Sequence, residues 1–164
     1  KNKGCETMFL SEIKSLVLTF LSISFFLLIA LVPAKADENA IAYVKVLNGA
    51  CIVISGDQER ELKVGDPLYK NDILKTKAQS SLGVSFRDNT LVSLGSNSTL
   101  KLNDFAFDPD NKKLAFAVQL FEGTLLYISG LISKLTKNPE EDLKITTPAG
   151  TITVRGTKLF VNAE

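Results

Sequence analysis

"SLGVSFRDNTLVSLGSNSTLKL", residues Ser81–Leu102, decides the fold. In its first part Leu82, Val84 and Phe86 alternate with Ser81, Gly83 and Ser85. A period of two gives a strand one buried face and one solvated face. Asp88-Asn89 then turns the chain, and "TLVSLG" and "STLKLN" supply the next two strands. Upstream, "AIAYVKVL" and "ACIVIS" flank Asn48-Gly49. That dipeptide between apolar runs predicts a two-residue hairpin, because a type I′ turn needs positive φ at both central positions. "GDQERELKVGDPLYKND" is polar and rich in turn residues, with Gly56-Asp57 and Gly65-Asp66-Pro67, and "ILKT" follows as a strand.

Downstream, "DFAFDPDNKK" reads as a loop, because Pro109 and the Asp/Asn cluster break the periodicity. "LAFAVQLFEGTLLYISGLIS" reads as strands on either side of Glu122-Gly123, with helix as the competing assignment. Gly123, Gly130, Val118, Ile128 and Ile132 favour strand. "KLTKNPEED" is a polar connector, and "LKITT" leads into "TPAGTITVRGTKLFV", Thr147–Val161. The expected fold is therefore all-β, a single sandwich, barrel or β-roll of about ten or more short strands. A hydrophobic N-terminal signal helix is expected to precede it.

That helix is "LVLTFLSISFFLLIALV", Leu16–Val32, a run without a charge. Lys14 precedes it, and Ala34 and Ala36 stand at the −3 and −1 positions of a small-x-small cleavage site. This is the secretory layout, so residues 1–36 read as a signal peptide and 37–164 as the β domain. An uncleaved membrane anchor is the alternative, since the run reaches the lower limit for spanning. Cleavage would leave Cys51 as the lone thiol. In "ACIVI" it reads as a small buried hydrophobe.

Composition excludes several kinds of chemistry. Histidine is absent, which removes Ser-His-Asp and Cys-His arrangements and the commonest transition-metal ligand. The net charge of +1 gives no electrostatic case for nucleic acid. Asp104, Asp108, Asp110 and Asn111 lack the spacing and glycine of an EF-hand loop and read as a solvated turn. Glu59, Arg60, Glu61 and Lys63 read as alternating charges on an exposed edge strand, which discourages edge pairing. No catalytic, cofactor-binding or metal-binding residue is assigned.

"TPAGTITVRGTKLFV" has a physical reading of its own. Pro148 biases Thr147 to an extended conformation and ends ladder donation at its own position. Ile152 and Val154 share one face, and Thr151, Thr153 and Arg155 the other. Gly156 permits a bulge or a close backbone approach. The stretch predicts a strand, a bent corner carrying Arg155, and a second strand through Leu159 and Val161.

Several of these pieces resemble the FecR domain family over roughly residues 61–161. "LKVGDPLYKNDILKTKAQSSLGVSFRDNTLVSLGSNSTLKL" resembles its N-terminal half, with a Gly-Asp-x-Leu step and an Asp-x-Thr turn. "VQLFEGTLLYI" resembles its central strand pair, and "TPAGTITVRGTKLFV" its closing signature. The signature residues carried over are Gly65, Asp66, Asp88, Thr147, Pro148, Val154, Arg155, Gly156 and Thr157, with a structural role expected. Asp88 is the candidate carboxylate partner of Arg155. The resemblance implies a non-catalytic exported module, periplasmic or extracellular, that acts in protein interaction or envelope sensing. Its partner would be a protein of the envelope, with no nucleic acid, and with the membrane touched only through the N-terminal segment if uncleaved. The best-known members are membrane-anchored regulators linked to a sigma factor. Only 15 residues precede the apolar run here, so that alternative requires a cytosolic domain upstream of this sequence.

Overall fold

The computed structural model describes residues 37–154 and 158–163. They form twelve strands: β1 (Ala42–Asn48), β2 (Cys51–Ser55), β3 (Gln58–Glu61), β4 (Pro67–Leu68), β5 (Ile73–Thr76), β6 (Ser81–Phe86), β7 (Leu91–Leu94), β8 (Thr99–Asp108), β9 (Lys113–Ile128), β10 (Leu143–Thr147), β11 (Gly150–Thr153) and β12 (Lys158–Ala163). Two helical turns, α1 (Ile132–Leu135) and α2 (Pro139–Asp142), lie between β9 and β10. The alternation read in the sequence is the alternation of burial. Leu82, Val84 and Phe86 of β6 are buried, as are Val92 and Leu94 of β7, while Leu91 and Ser93 are exposed.

All twelve strands belong to one curled sheet, a half-barrel. Its long strand is β9, which joins two leaves. The N-terminal half of β9 pairs with β8 and β10, and this leaf continues through β5, β2 and β3 on one side and β11 on the other. The C-terminal half pairs with β7 and β12, and that leaf continues through β6, β1 and β4. Aromatic rings pack between the leaves. Phe86 lies 5.0 Å from Phe116 and 5.4 Å from Phe105, and Phe116 lies 5.3 Å from Tyr127. Phe86, Phe116 and Tyr127 are buried, and each large side chain so placed stabilises the fold by about 1.5–3 kcal/mol relative to exposure.

Three local expectations are corrected. Asn48-Gly49 does not close a hairpin, because β1 pairs with β4 and β6 while β2 pairs with β3 and β5. Only Gly49 of the two has positive φ, at +74°. The chain there passes from one leaf to the other, and Ser80 holds the crossing by accepting from the Ala50 amide at 2.9 Å. The segment from Asp104 to Asp108 is strand, not loop, because it pairs residue by residue with Lys113–Ala117. The loop shrinks to Pro109–Lys112. The strand expected to run on through Gly130 and Ile132 ends at Ile128; α1 opens at Ile132 and, with α2 in the polar connector, forms the crossover that lets β10 run parallel to β9 in an otherwise antiparallel sheet.

Residues 1–36, with the expected signal helix and cleavage site, lie outside the described residues, as do Arg155, Gly156 and Thr157. Among the described residues no helix is long and apolar enough to cross a membrane.

Candidate functional site: the buried polar pins

A core this apolar admits few polar side chains, and those it admits need partners. The buried polar residues are Asp72, Thr76, Ser80, Asp88, Thr90 and Ser98. Each is spent on a turn or a crossing between leaves.

Asp88 is the most enclosed carboxylate, with no exposed surface. It sits in the β6–β7 turn, where Asn89 takes φ +66°. Its Oδ1 accepts from the Thr90 amide at 3.0 Å, and its Oδ2 accepts from the Thr90 hydroxyl at 2.7 Å and from the Ile132 amide at 3.2 Å. The Asp88 carbonyl accepts from Leu131 N at 2.8 Å, and Thr90 Oγ1 accepts from Gly130 N at 3.1 Å. The turn is thus tied to the segment that leaves β9. The contact is so close that a Cβ on Gly130 would collide with Thr90 N and Asp88 O and stand 2.7 Å from the Asn89 carbonyl carbon. Only glycine fits. Tyr127, buried beside this network, has a hydroxyl without a hydrogen bond among the described residues. Burial pushes the Tyr127 phenol up to about 12.

A second pin holds the bend of β9. Thr76 Oγ1 donates to Gly95 O at 2.6 Å and accepts from Ser98 N at 2.9 Å. Ser98 Oγ accepts from Thr124 N at 3.0 Å and donates to Gly95 O at 3.0 Å. Gly123, with φ +86°, turns β9 between the leaves, and a Cβ there would stand 2.6 Å from Ser98 Cα. Asp72 forms a third pin. Its Oδ1 accepts from Ser55 Oγ at 2.6 Å and its Oδ2 from Tyr69 N at 2.8 Å.

Of the other signature residues, Gly65, Asp66, Thr147, Pro148 and Val154 are among the described ones. Gly65, at φ +93°, and Asp66 close the turn before β4, with Asp66 N donating to Lys63 O at 3.1 Å. Asp66 Oδ2 accepts from Lys63 N at 3.0 Å and from Arg60 Nη1 at 2.6 Å. That ion pair is partly exposed and contributes at most about 1 kcal/mol. Thr147 ends β10, Pro148 and Ala149 form the loop, and Gly150 pairs back opposite Thr147. Val154 is buried, and its amide donates to Leu143 O at 3.3 Å. The structure brings Asp88 next to Thr90 and Gly130, but Gly65-Asp66 and Thr147-Pro148 sit in separate turns.

Asp104 pairs with Lys70 at 2.8 Å, and Asp108 accepts from Asn111 through both its amide and its side chain. These bonds from Asn111 hold the Asp108 carboxyl below its usual range. Cys51 is buried, and burial pushes its thiol up, away from the reactive thiolate. A shallow groove of about 400 Å³ lies between Pro109, Lys112 and Leu114 on one side and Leu135, Asn138 and Asp142 on the other. Sequence reasoning gave Thr90, Ser98, Gly130 and Tyr127 no part in a buried polar network. The Asp-x-Thr spacing was the one available signal for Thr90, because such pairs bond locally within a turn. The other three depend on contacts far apart in the chain.

These features define the class of the protein: an all-β module whose polar interior is committed to holding turns and leaf crossings. The model for the FecR protein family matches residues 72–164, more than half of the chain, and the chain belongs to that family. A solved structure described as a cell surface anchoring domain is 36% identical over 40% of this chain and 88% of that one, with a TM-score of 0.39. No curated protein matches.

Proposed function

We propose that this chain is a non-catalytic exported FecR module that acts in protein interaction or envelope sensing, periplasmic or extracellular after cleavage behind Ala36. The observation that carries the reading is the use of the buried polar groups. Asp72, Thr76, Ser98 and Asp88 are consumed in turn geometry. The pattern that defines the family here therefore builds a scaffold, and function falls to its surfaces. Family membership supports the envelope setting.

The test is expression of the full reading frame in a Gram-negative bacterium, with mass spectrometry of the mature N-terminus and in-cell cross-linking from exposed positions spread over the domain. A chain that begins at Asp37 and cross-links to envelope protein is the expected result. A mature chain that begins upstream of Leu16 supports the other reading, a membrane-anchored regulator, which the uncharged Leu16–Val32 run favours. A chain that stays in the cytoplasm and cross-links to nothing overturns both.

A further inference from the structure

The cleavage reading puts the cut between Ala36 and Asp37, and the domain already holds Asp37. Asp37–Ala40 is a hydrogen-bonded turn, in which the Ala40 amide donates to Asp37 O at 3.1 Å. The Asp37 carboxylate is bound from two directions. Its Oδ1 accepts from the Asn39 amide at 3.1 Å, and its Oδ2 accepts from the Tyr69 hydroxyl. Asp37 O also accepts from the Tyr43 hydroxyl at 3.4 Å, and Glu38 O accepts from Arg87 Nη1 at 3.1 Å. Ala40 has no exposed surface, and Ile41 is buried. The Ile41 amide donates to Leu68 O at 2.9 Å, and its carbonyl accepts from the Arg87 amide at 3.1 Å. The chain is thus fixed on both sides of its backbone five residues after Ala36.

A peptidase that reads side chains on both sides of a scissile bond holds that stretch extended, so that alternate side chains enter its pockets. Beyond this cut the stretch is Asp37, Glu38 and Asn39, and all three lie in the turn. Extended, the four residues before Ile41 would carry the bond about 14 Å away from the fixed backbone. Turned, Asp37 and Ala40 are held within ~7 Å of each other. The enzyme would meet a coiled backbone with the body of the domain against its cleft.

We infer that the folded domain closes its own processing site, so that cleavage precedes folding. Cleavage adds water across the Ala36–Asp37 peptide bond and leaves a carboxylate on Ala36 and an amine on Asp37. The chain reaches the peptidase unfolded, is cut, and then closes the Asp37–Ala40 turn against Tyr69, Tyr43 and Arg87. A chain that folds first keeps its uncharged Leu16–Val32 run. The race between folding and cleavage therefore sets the share of released and anchored protein. This inference rests on the cleavage reading above and adds an order of events to it.

The test uses the full chain in detergent with a purified bacterial signal peptidase, and mass spectrometry reads the products. In one arm the peptidase is present when urea-unfolded chain is diluted. In the other it is added after far-UV circular dichroism shows that refolding is complete. The expected result is that folded chain is cut at least about tenfold more slowly, because the cut must wait for the turn to open. A flexible insert of about six glycine and serine residues after Ala36 should return the folded chain to nearly the unfolded rate. The same insert in the Pro109–Lys112 loop should not. Equal cutting of folded and unfolded chain overturns the inference and leaves the cleavage reading standing. So does an insert after Ala36 that leaves the folded chain resistant, since nearness of the fold would then not be the cause. Unfolded chain that is never cut overturns the cleavage reading, and the inference with it.

Discussion

Asp88→Ala isolates the energetics of the turn that the family pattern marks. The carboxylate has no exposed surface and accepts from Thr90 N at 3.0 Å, Thr90 Oγ1 at 2.7 Å and Ile132 N at 3.2 Å. Alanine removes all three acceptor positions and keeps the three donors buried. Each buried donor left unsatisfied costs about 1–3 kcal/mol. The Thr90 hydroxyl can rotate toward another acceptor, so the two backbone amides dominate, and the expected loss is ~3–5 kcal/mol. A domain of this size has only about 5–15 kcal/mol in total. Asp88→Asn keeps the shape and one acceptor oxygen, and its loss should be about half as large. Urea unfolding followed by far-UV circular dichroism measures both, and hydrogen exchange at Ile132 N shows whether the tie to α1 has opened. An Asp88→Ala protein within ~0.5 kcal/mol of wild type would refute the reasoning. So would an alanine variant no weaker than the asparagine variant.

Gly123→Ala should lower Tm by roughly 6 °C or more, since it adds a Cβ at φ +86° against Ser98, and calorimetry checks it. Tyr127→Phe tests the buried phenol. Its folded value of about 12 lies above the unfolded value near ~10, so the protonated group stabilises the fold fully below pH ~10 and that contribution is lost as pH climbs toward ~12. Wild type should therefore lose on the order of 2 kcal/mol more than Tyr127→Phe over that interval, and superimposable urea midpoints for the two proteins from pH 9 to 12 would contradict the assignment. The expected pairing of Arg155 with Asp88 predicts that Arg155→Ala costs ~3–5 kcal/mol and that lysine does not restore it fully. A double-mutant cycle with Asp88→Ala should return a coupling above ~1 kcal/mol, whereas simple additivity would show that the two residues act independently.

What the sequence determined by itself is the class of structure. Period-two alternation in "SLGVSF" specifies which face of β6 is buried, because successive side chains of a strand leave opposite faces and only one face can be apolar. Turn residues behave the same way. Gly56, Asn89 and Gly65 take positive φ where the sequence placed turns, since few residues adopt that backbone without strain. The charged edge at Glu59–Glu61 was legible for a like reason: no partner could cover it cheaply. Pairing was not legible. Asn48-Gly49 has hairpin chemistry, yet β1 and β2 separate there: β1 pairs with β6 and β4 and β2 with β5 and β3, in the two leaves that enclose the aromatic core. Nor were Gly130, Ser98 and Tyr127 legible as parts of one polar framework. Gly130 meets Thr90 across 40 residues and Thr124 meets Ser98 across 26. Local patterns reflect the conformational preferences of neighbours in the chain, whereas such contacts exist only once the leaves have closed and a buried donor must take whichever acceptor the fold has carried to it.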